Sequence, residues 1–199
     1  MINKSREDES EWKSRGEVKK KKVKTATREE PVQRWRPPQP TWLKCNIDGT
    51  WKKDSGEGGM GWVARDHCGN LVWAGARKLP RPRSVLETEI EALRWAIQAL
   101  SGFGYQRVIF ETDSMVLKRL TSGEEAMWPA WKPLIQEISS LLAENCGIGV
   151  LYYSRSGNKV ADIIAKEIST FASFVPKLYY VLPVWLKSCI EADKLDVRN

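Results

Sequence analysis

Residues 43–51, LKCNIDGTW, decide how the rest of the chain is read. Leu43, Cys45 and Ile47 alternate with polar neighbours, the period-two signature of a strand with one apolar face. Asp48 interrupts this pattern just before Gly49, a residue that tolerates unusual dihedrals and lets a backbone or a phosphate come close. Strict alternation sets Asp48 opposite Cys45 and Ile47, but this strand alone leaves its side open, and Asp48-Gly49 also suits an ordinary turn. A buried carboxylate is costly unless a cation pairs with it. No Lys or Arg lies within two residues of Asp48.

Working outward, a polar, glycine-containing turn over Lys52–Gly59 leads to a second strand, GMGWVARD (Gly59–Asp66). After His67–Asn70, a third strand follows in LVWAGARKL (Leu71–Leu79). Short turn-rich links between consecutive strands favour antiparallel hairpins. The period then changes. Leu86, Ile90, Leu93, Trp95, Ile97 and Leu100 recur at helical spacing over Ser84–Leu100, with Gly102 and Gly104 beyond the end. Arg107–Thr112 (RVIFET) is a compact apolar run suited to a central strand. Helices are expected over Ser114–Leu120, Pro129–Ala143 and Asn158–Ser169, and a fifth strand over Ile148–Tyr153. The order β-β-β-α-β-α-α-β-α predicts an α/β fold with a mixed sheet covered on both faces.

Three further acids stand at junctions of this pattern: Glu89 in ETEIEAL, Asp113 in FETDS and Asp162 in NKVADIIAK. Glu89 and Asp113, like Asp48, have no Lys or Arg within two residues. Asp113 follows a strand where a helix begins, the end of an open α/β sheet at which sites assemble. Each acid also has a plain structural role open to it. Asp113-Ser114 suits a helix N-cap, Glu89 or Glu91 a solvated helix face, and Asp162 the positive end of its helix. Together, the four point to a shared divalent cation.

Composition narrows the function further. Residues 1–40 hold 12 Lys and Arg against 7 Asp and Glu, +5 of the chain's net +7, so the folded part is nearly neutral. The tail ends in RWRPPQP (Arg34–Pro40) and reads as disordered, then extended. Its KKKKVK run, Lys19–Lys24, has the density of a nuclear localisation signal or of a solvated basic tail. Cys45, Cys68, Cys146 and Cys189 are scattered with no CxxC pair, and His67 is the sole histidine. A zinc site and a disulfide framework are therefore not expected, and reduced thiols in an intracellular protein are. No apolar run has membrane-spanning length, and the N-terminus lacks a signal-peptide core.

In order, NIDGT, GxGWVxRDxxGN, ETEIEALRWAI, VIFETDS and RxxNxVADIIAK resemble the ribonuclease H superfamily. Within it they are most similar to the plant-type domains that stand alone or end non-LTR retroelement polyproteins. The resemblance implies a five-stranded mixed sheet of order 3-2-1-4-5, with strands 1–3 antiparallel and 1, 4 and 5 parallel. It divides the chain into a tail (1–40), a ribonuclease H-like domain (41–171) and a C-terminal extension (172–199). The extension's apolar patch at Pro183–Leu186 suits a cap on the domain or a partner contact.

Carried over by position, the resemblance makes Asp48, Glu89, Asp113 and Asp162 the metal-binding and catalytic carboxylates. Glu89, rather than Glu87 or Glu91, is the match because the family's Glu precedes the alanine aligned with Ala92 by three residues. The implied cofactor is a pair of Mg²⁺ or Mn²⁺ ions, hard cations suited to oxygen ligands. The implied reaction is two-metal hydrolysis of the RNA strand of an RNA–DNA hybrid, by a monomer with no membrane association. Gly49, Thr50, Ser114 and Asn158 are expected near the 2′-hydroxyls that distinguish RNA, though turn, cap and helix-start roles suit them equally. Departures from the pattern are also visible. Tyr152 stands where many members carry a loop histidine, and Arg155 cannot serve as a neutral proton acceptor. Lys132 is the only basic residue of the Pro129–Ala143 helix, so hybrid affinity is expected to rest on residues such as Lys118 and Arg119 and to be salt-sensitive. A binding module that keeps the fold without the rate is the alternative.

Overall fold

The computed structural model of the chain describes residues 34–126, 128–144 and 149–195. Lys19–Lys24, most of the tail, Ile148 and Cys146 lie outside the described residues. Strands β1 (Leu43–Lys52), β2 (Glu57–Arg65) and β3 (Leu71–Pro80) form an antiparallel meander, and helix α1 (Val85–Gly102) follows. Next come β4 (Val108–Thr112), α2 (Met115–Ser122), α3 (Lys132–Glu144), β5 (Val150–Tyr152) and α4 (Lys159–Glu167). The described chain closes with β6 (Lys177–Tyr179) and α5 (Val184–Leu195). One mixed sheet results, in the order β5-β4-β1-β2-β3-β6. Read in reverse, its first five strands give the expected 3-2-1-4-5, with β1 antiparallel to β2 and parallel to β4, and β4 parallel to β5.

The sixth strand was not anticipated. It comes from the C-terminal extension and pairs antiparallel with β3 through Ala74–Tyr179, Gly75–Leu178 and Ala76–Lys177. Three residues are too few to display a period of two, which is why KLY carries no strand signal. The same extension then turns into α5, whose Leu186 and Ile190 are buried with Val63, Ala74 and Ile164. The Arg34–Pro40 segment has no regular structure, yet Trp35 is 1% exposed, so the packed chain begins ahead of Trp42. Among the described residues, no helix is long and apolar enough to cross a membrane.

The two faces of the sheet carry different cores. Cys45 and Ile47 of β1 lie in the larger one, with Ile90, Leu93 and Ile97 of α1, Phe110 of β4 and Leu117 of α2. The smaller core joins Val63, Ala74 and Ala76 to Val160, Ala161 and Ile164 of α4. Helix α1 begins sharply because Ser84 caps it: its hydroxyl accepts from Glu87 N at 3.1 Å, while the Glu87 carboxylate accepts from Arg83 N at 2.5 Å.

Glycines set how closely both helices approach the sheet. A Cβ on Gly49 would stand 2.4 Å from Thr88 Oγ1 and 2.6 Å from Glu89 N, so α1 lies directly on β1. A Cβ on Gly61, the β2 partner of Asp48, would stand 2.3 Å from Ala165 N, so α4 lies directly on β2. Both approaches bring acidic residues of the helices to the same part of β1.

Candidate metal centre

β1 is a regular ten-residue strand, which resolves the question its sequence left open. Lys44, Asn46 and Asp48 occupy the face opposite Cys45 and Ile47, and Asp48 is 7% exposed. Glu89 arrives from the first turns of α1, carried there by the close packing at Gly49. Asp113 stands directly after β4, just before Ser114 caps α2 by accepting from Leu117 N at 3.3 Å. One carboxylate oxygen of each of Asp48, Glu89 and Asp113 lies within 4.8 Å of the others.

The neighbouring glutamates of α1 are engaged elsewhere. Glu87 meets the Arg83 guanidinium at 3.3 Å, and Glu91 meets Arg94 at 2.8 Å. Asp162 sits in the first turn of α4 and differs from the other three acids. It pairs with Lys166 at 2.6 Å and with Arg155 at 3.7 Å. Its charge is nonetheless felt at Asp48 and Asp113.

The electrostatics follow from this packing. Burial, and then repulsion from Asp113 and Asp162, push the Asp48 carboxyl up to about 8. Burial also raises Glu89, to about 7, while Ser114 and the nearby Arg155 work against that rise. Asp113 is raised by burial and drawn back by Arg155. Three acids whose charged forms are this disfavoured hold their protons unless a cation sits among them. The donor set is oxygen alone, which suits a hard divalent ion rather than zinc. The cluster can therefore hold a divalent metal.

The expected substrate contacts fare unevenly. Gly49 is buried in the contact with α1, and Thr50 is partly exposed beyond it on β1. Ser114 caps α2 and stands near enough to Glu89 to favour its charged form. Asn158 is 1% exposed, which withdraws it from direct contact with a substrate. Its amide donates to Ile47 O at 2.9 Å, tying α4's start to β1 close to Asp113, whose charged form it favours. Lys118, expected to help hold a hybrid, is engaged by Glu124.

Sequence reasoning overlooked the polar layer behind the cluster. Asn46 Nδ2 donates to Glu111 Oε2 at 3.0 Å, Glu111 Oε1 meets Lys44 Nζ at 2.8 Å, and Arg65 Nη2 donates to Asn46 Oδ1 at 2.8 Å. Periodicity could have found it. Asn46 and Glu111 each stand two residues before an acid of the cluster, on the adjacent strands β1 and β4.

The sequence profile of the reverse transcriptase-like family matches residues 46–168, well over half of the chain. The chain belongs to the reverse transcriptase-like family. Its fold is that of solved ribonucleases H. RNase H1 of the halophilic archaeon Halobacterium salinarum NRC-1 superposes with a TM-score of 0.59 at 22% identity, covering 63% of this chain and 95% of that one. The N-terminal RNase H domain of a Mycobacterium tuberculosis protein gives 0.58 at 18% identity, covering 63% and 91%. LC11-RNase H1, solved with an RNA/DNA hybrid, gives 0.57 at 23% identity, covering 63% and 94%. None of the curated proteins matches the sequence. This reverse transcriptase-like chain therefore combines a ribonuclease H-like sheet with an acidic cluster gathered around Asp48 of β1.

Proposed function

We propose that the protein is an endoribonuclease that hydrolyses the RNA strand of RNA–DNA hybrids. The observation that carries this reading is the meeting of Asp48, Glu89 and Asp113 on a ribonuclease H-like scaffold, with no cation of the protein paired to them at salt-bridge distance among the described contacts. These three, with Asp162, would hold two Mg²⁺ or Mn²⁺ ions. The chemistry such ions supply is activation of a water and stabilisation of charge on the departing 3′ oxygen. The chain's own residues prepare that chemistry. Asn158 ties α4's start to β1, and Ser114, Asn158 and Arg155 draw Glu89 and Asp113 towards their charged forms. Thr50 and the backbone at Gly49 are the proposed readers of the 2′-hydroxyl, together with Ser114. The hybrid's backbone would be held weakly and in a salt-sensitive manner, by a monomer.

In lineage, we place the chain with plant-type, retroelement-derived domains, on the Arg155-x-x-Asn158 and VADIIAK motif. The Lys19–Lys24 run would direct it to the nucleus; unchanged nuclear accumulation on deleting the run would refute that address.

A second reading, a nucleic-acid-binding module with little or no turnover, is favoured by one contact: Asp162 is already engaged by Lys166 and Arg155. A labelled RNA–DNA duplex, incubated with the protein and Mg²⁺ or Mn²⁺, separates the two. Cleavage that disappears in Asp113→Asn supports the enzyme. Retained, metal-independent binding with no cleavage by either protein identifies the module.

A further inference from the structure

Behind the acidic cluster, four buried polar side chains form a closed layer that links both flanks of the chain to the strands bearing Asp48 and Asp113. Asn46 and Glu111 face one another across the parallel β1–β4 pairing and are joined at 3.0 Å. Each precedes a cluster acid by two residues. Lys44 meets the second oxygen of Glu111 at 2.8 Å, and Arg65, fully buried on β2, donates to Asn46 at 2.8 Å.

The two cations of this layer are held from outside the family-matched span of residues 46–168. Asp193 of α5 meets Arg65 Nη1 at 2.6 Å. Trp35 stacks on the Arg65 guanidinium, whose carbon lies 3.6 Å from the ring centre. The backbone carbonyl of Arg36 accepts from Lys44 Nζ at 2.8 Å, and that of Arg34 accepts from the Tyr153 hydroxyl. Lys44 and Arg65 against Glu111 and Asp193 leave the layer with no net charge.

A buried ion network is weak evidence for stability, because apolar residues of similar volume would do as well or better. What such a network does confer is fixed geometry. Metal ligands depend on the groups behind them for orientation, and losing such a group costs about ten- to a hundredfold in metal affinity or activity.

We propose that Asp193 and Trp35, acting through Arg65 and the Asn46–Glu111 pair, are positioning residues for the acidic cluster, so that both flanking segments belong to the metal site. This rests on the proposed metal-binding reading of Asp48, Glu89 and Asp113. It implies that residues 46–168 alone would fold with a poorly aligned site.

The test is Mn²⁺ affinity, read by electron paramagnetic resonance on the full chain, alongside far-ultraviolet circular dichroism. Asp193→Ala should keep the parent's dichroism and lose about tenfold in affinity, within the range for groups behind metal ligands. Asp193→Glu should recover most of that loss, which a merely structural role gives no reason to expect. Should Asp193→Ala fail to fold, the double variant Arg65→Met/Asp193→Leu removes both charges and fills the space. It should fold and still bind Mn²⁺ more weakly. Parent-like affinity in a folded variant of either kind would overturn the inference and leave the site reading intact. No Mn²⁺ binding by the parent would overturn both.

Discussion

The two faces of β1 do opposite work within one strand. Cys45 and Ile47 point into the larger core, where the surrounding helices exclude water and where their only demand is volume. Lys44, Asn46 and Asp48 are also buried but polar; Lys44 and Asn46 are paired with Glu111, and Asp48 faces the other acids of the cluster. One face stabilises the fold; the other holds a site that strains it. A single step along the chain, from Ile47 to Asp48, crosses from one regime to the other.

The sharpest break of this contrast is Asp48→Asn. Removing a metal-holding charge should lower hybrid cleavage about a thousandfold, since such stabilisation is worth several kcal/mol and each 1.36 kcal/mol is tenfold. The metal-free protein should at the same time become more stable, by about 1–2 kcal/mol at neutral pH, because functional sites commonly cost stability. Single-turnover cleavage and urea unfolding in a chelator read the two effects. A fall in both activity and stability would show that Asp48 is a structural residue. Its neighbour should behave in reverse. Ile47→Ala should cost about 2–5 kcal/mol, as expected for a fully buried aliphatic side chain. Mn²⁺ affinity of the folded fraction should stay close to that of the parent.

Gly49 lies where the two regimes meet. Gly49→Ala places a methyl group 2.6 Å from the backbone at Glu89, and over-packing of this kind costs about 1–3 kcal/mol. Because α1 must shift outward to accept it, Glu89 moves away from Asp48, and Mn²⁺ affinity should fall alongside stability. Thermal melts with and without Mn²⁺ separate the two. A variant that loses stability but keeps full affinity would show that the contact at Gly49 does not position Glu89.

Much of this division was legible in the sequence, and for a physical reason. The meander, the change of period at Ser84 and the run RVIFET each repeat their signal often enough to be read, and Asp48, Glu89 and Asp113 do meet. Apart from the Asn46–Glu111 pair, what escaped was either too short or too distant in sequence. Strand β6 offers three residues, so no alternation can show in it. Trp35 lies among prolines and charged residues, and the cations it covers, Arg65 and Lys44, come from strands that its own segment does not reveal. The Arg65–Asp193 pair spans 128 positions, beyond any local pattern. Asn158 shows a different limit. The position was found, but a residue type that serves substrate and scaffold equally well does not reveal which until its amide is seen on Ile47.

The smallest expected effect is a dependence on pH that should set this protein apart from one with an ordinary surface of acids. Asp48 and Glu89, at about 8 and about 7, hold their protons more tightly folded than unfolded. Their contribution to stability is therefore fully present below the usual carboxylate range near pH 4, and it is lost as pH rises through 7 and then 8. In a chelator, the melting temperature should decline across that interval. Asp48→Asn should flatten the decline, and saturating Mg²⁺ should oppose it, because an ion bound only by the folded state stabilises it by mass action and competes with the protons. The effect of Mg²⁺ should consequently be larger at pH 8.5 than at pH 6. Melts at those two values, with and without the ion, give the comparison directly. An equal shift at both would mean that protons and metal do not share the carboxylates, and the polar face of β1 would then lose its claim to be a cation site.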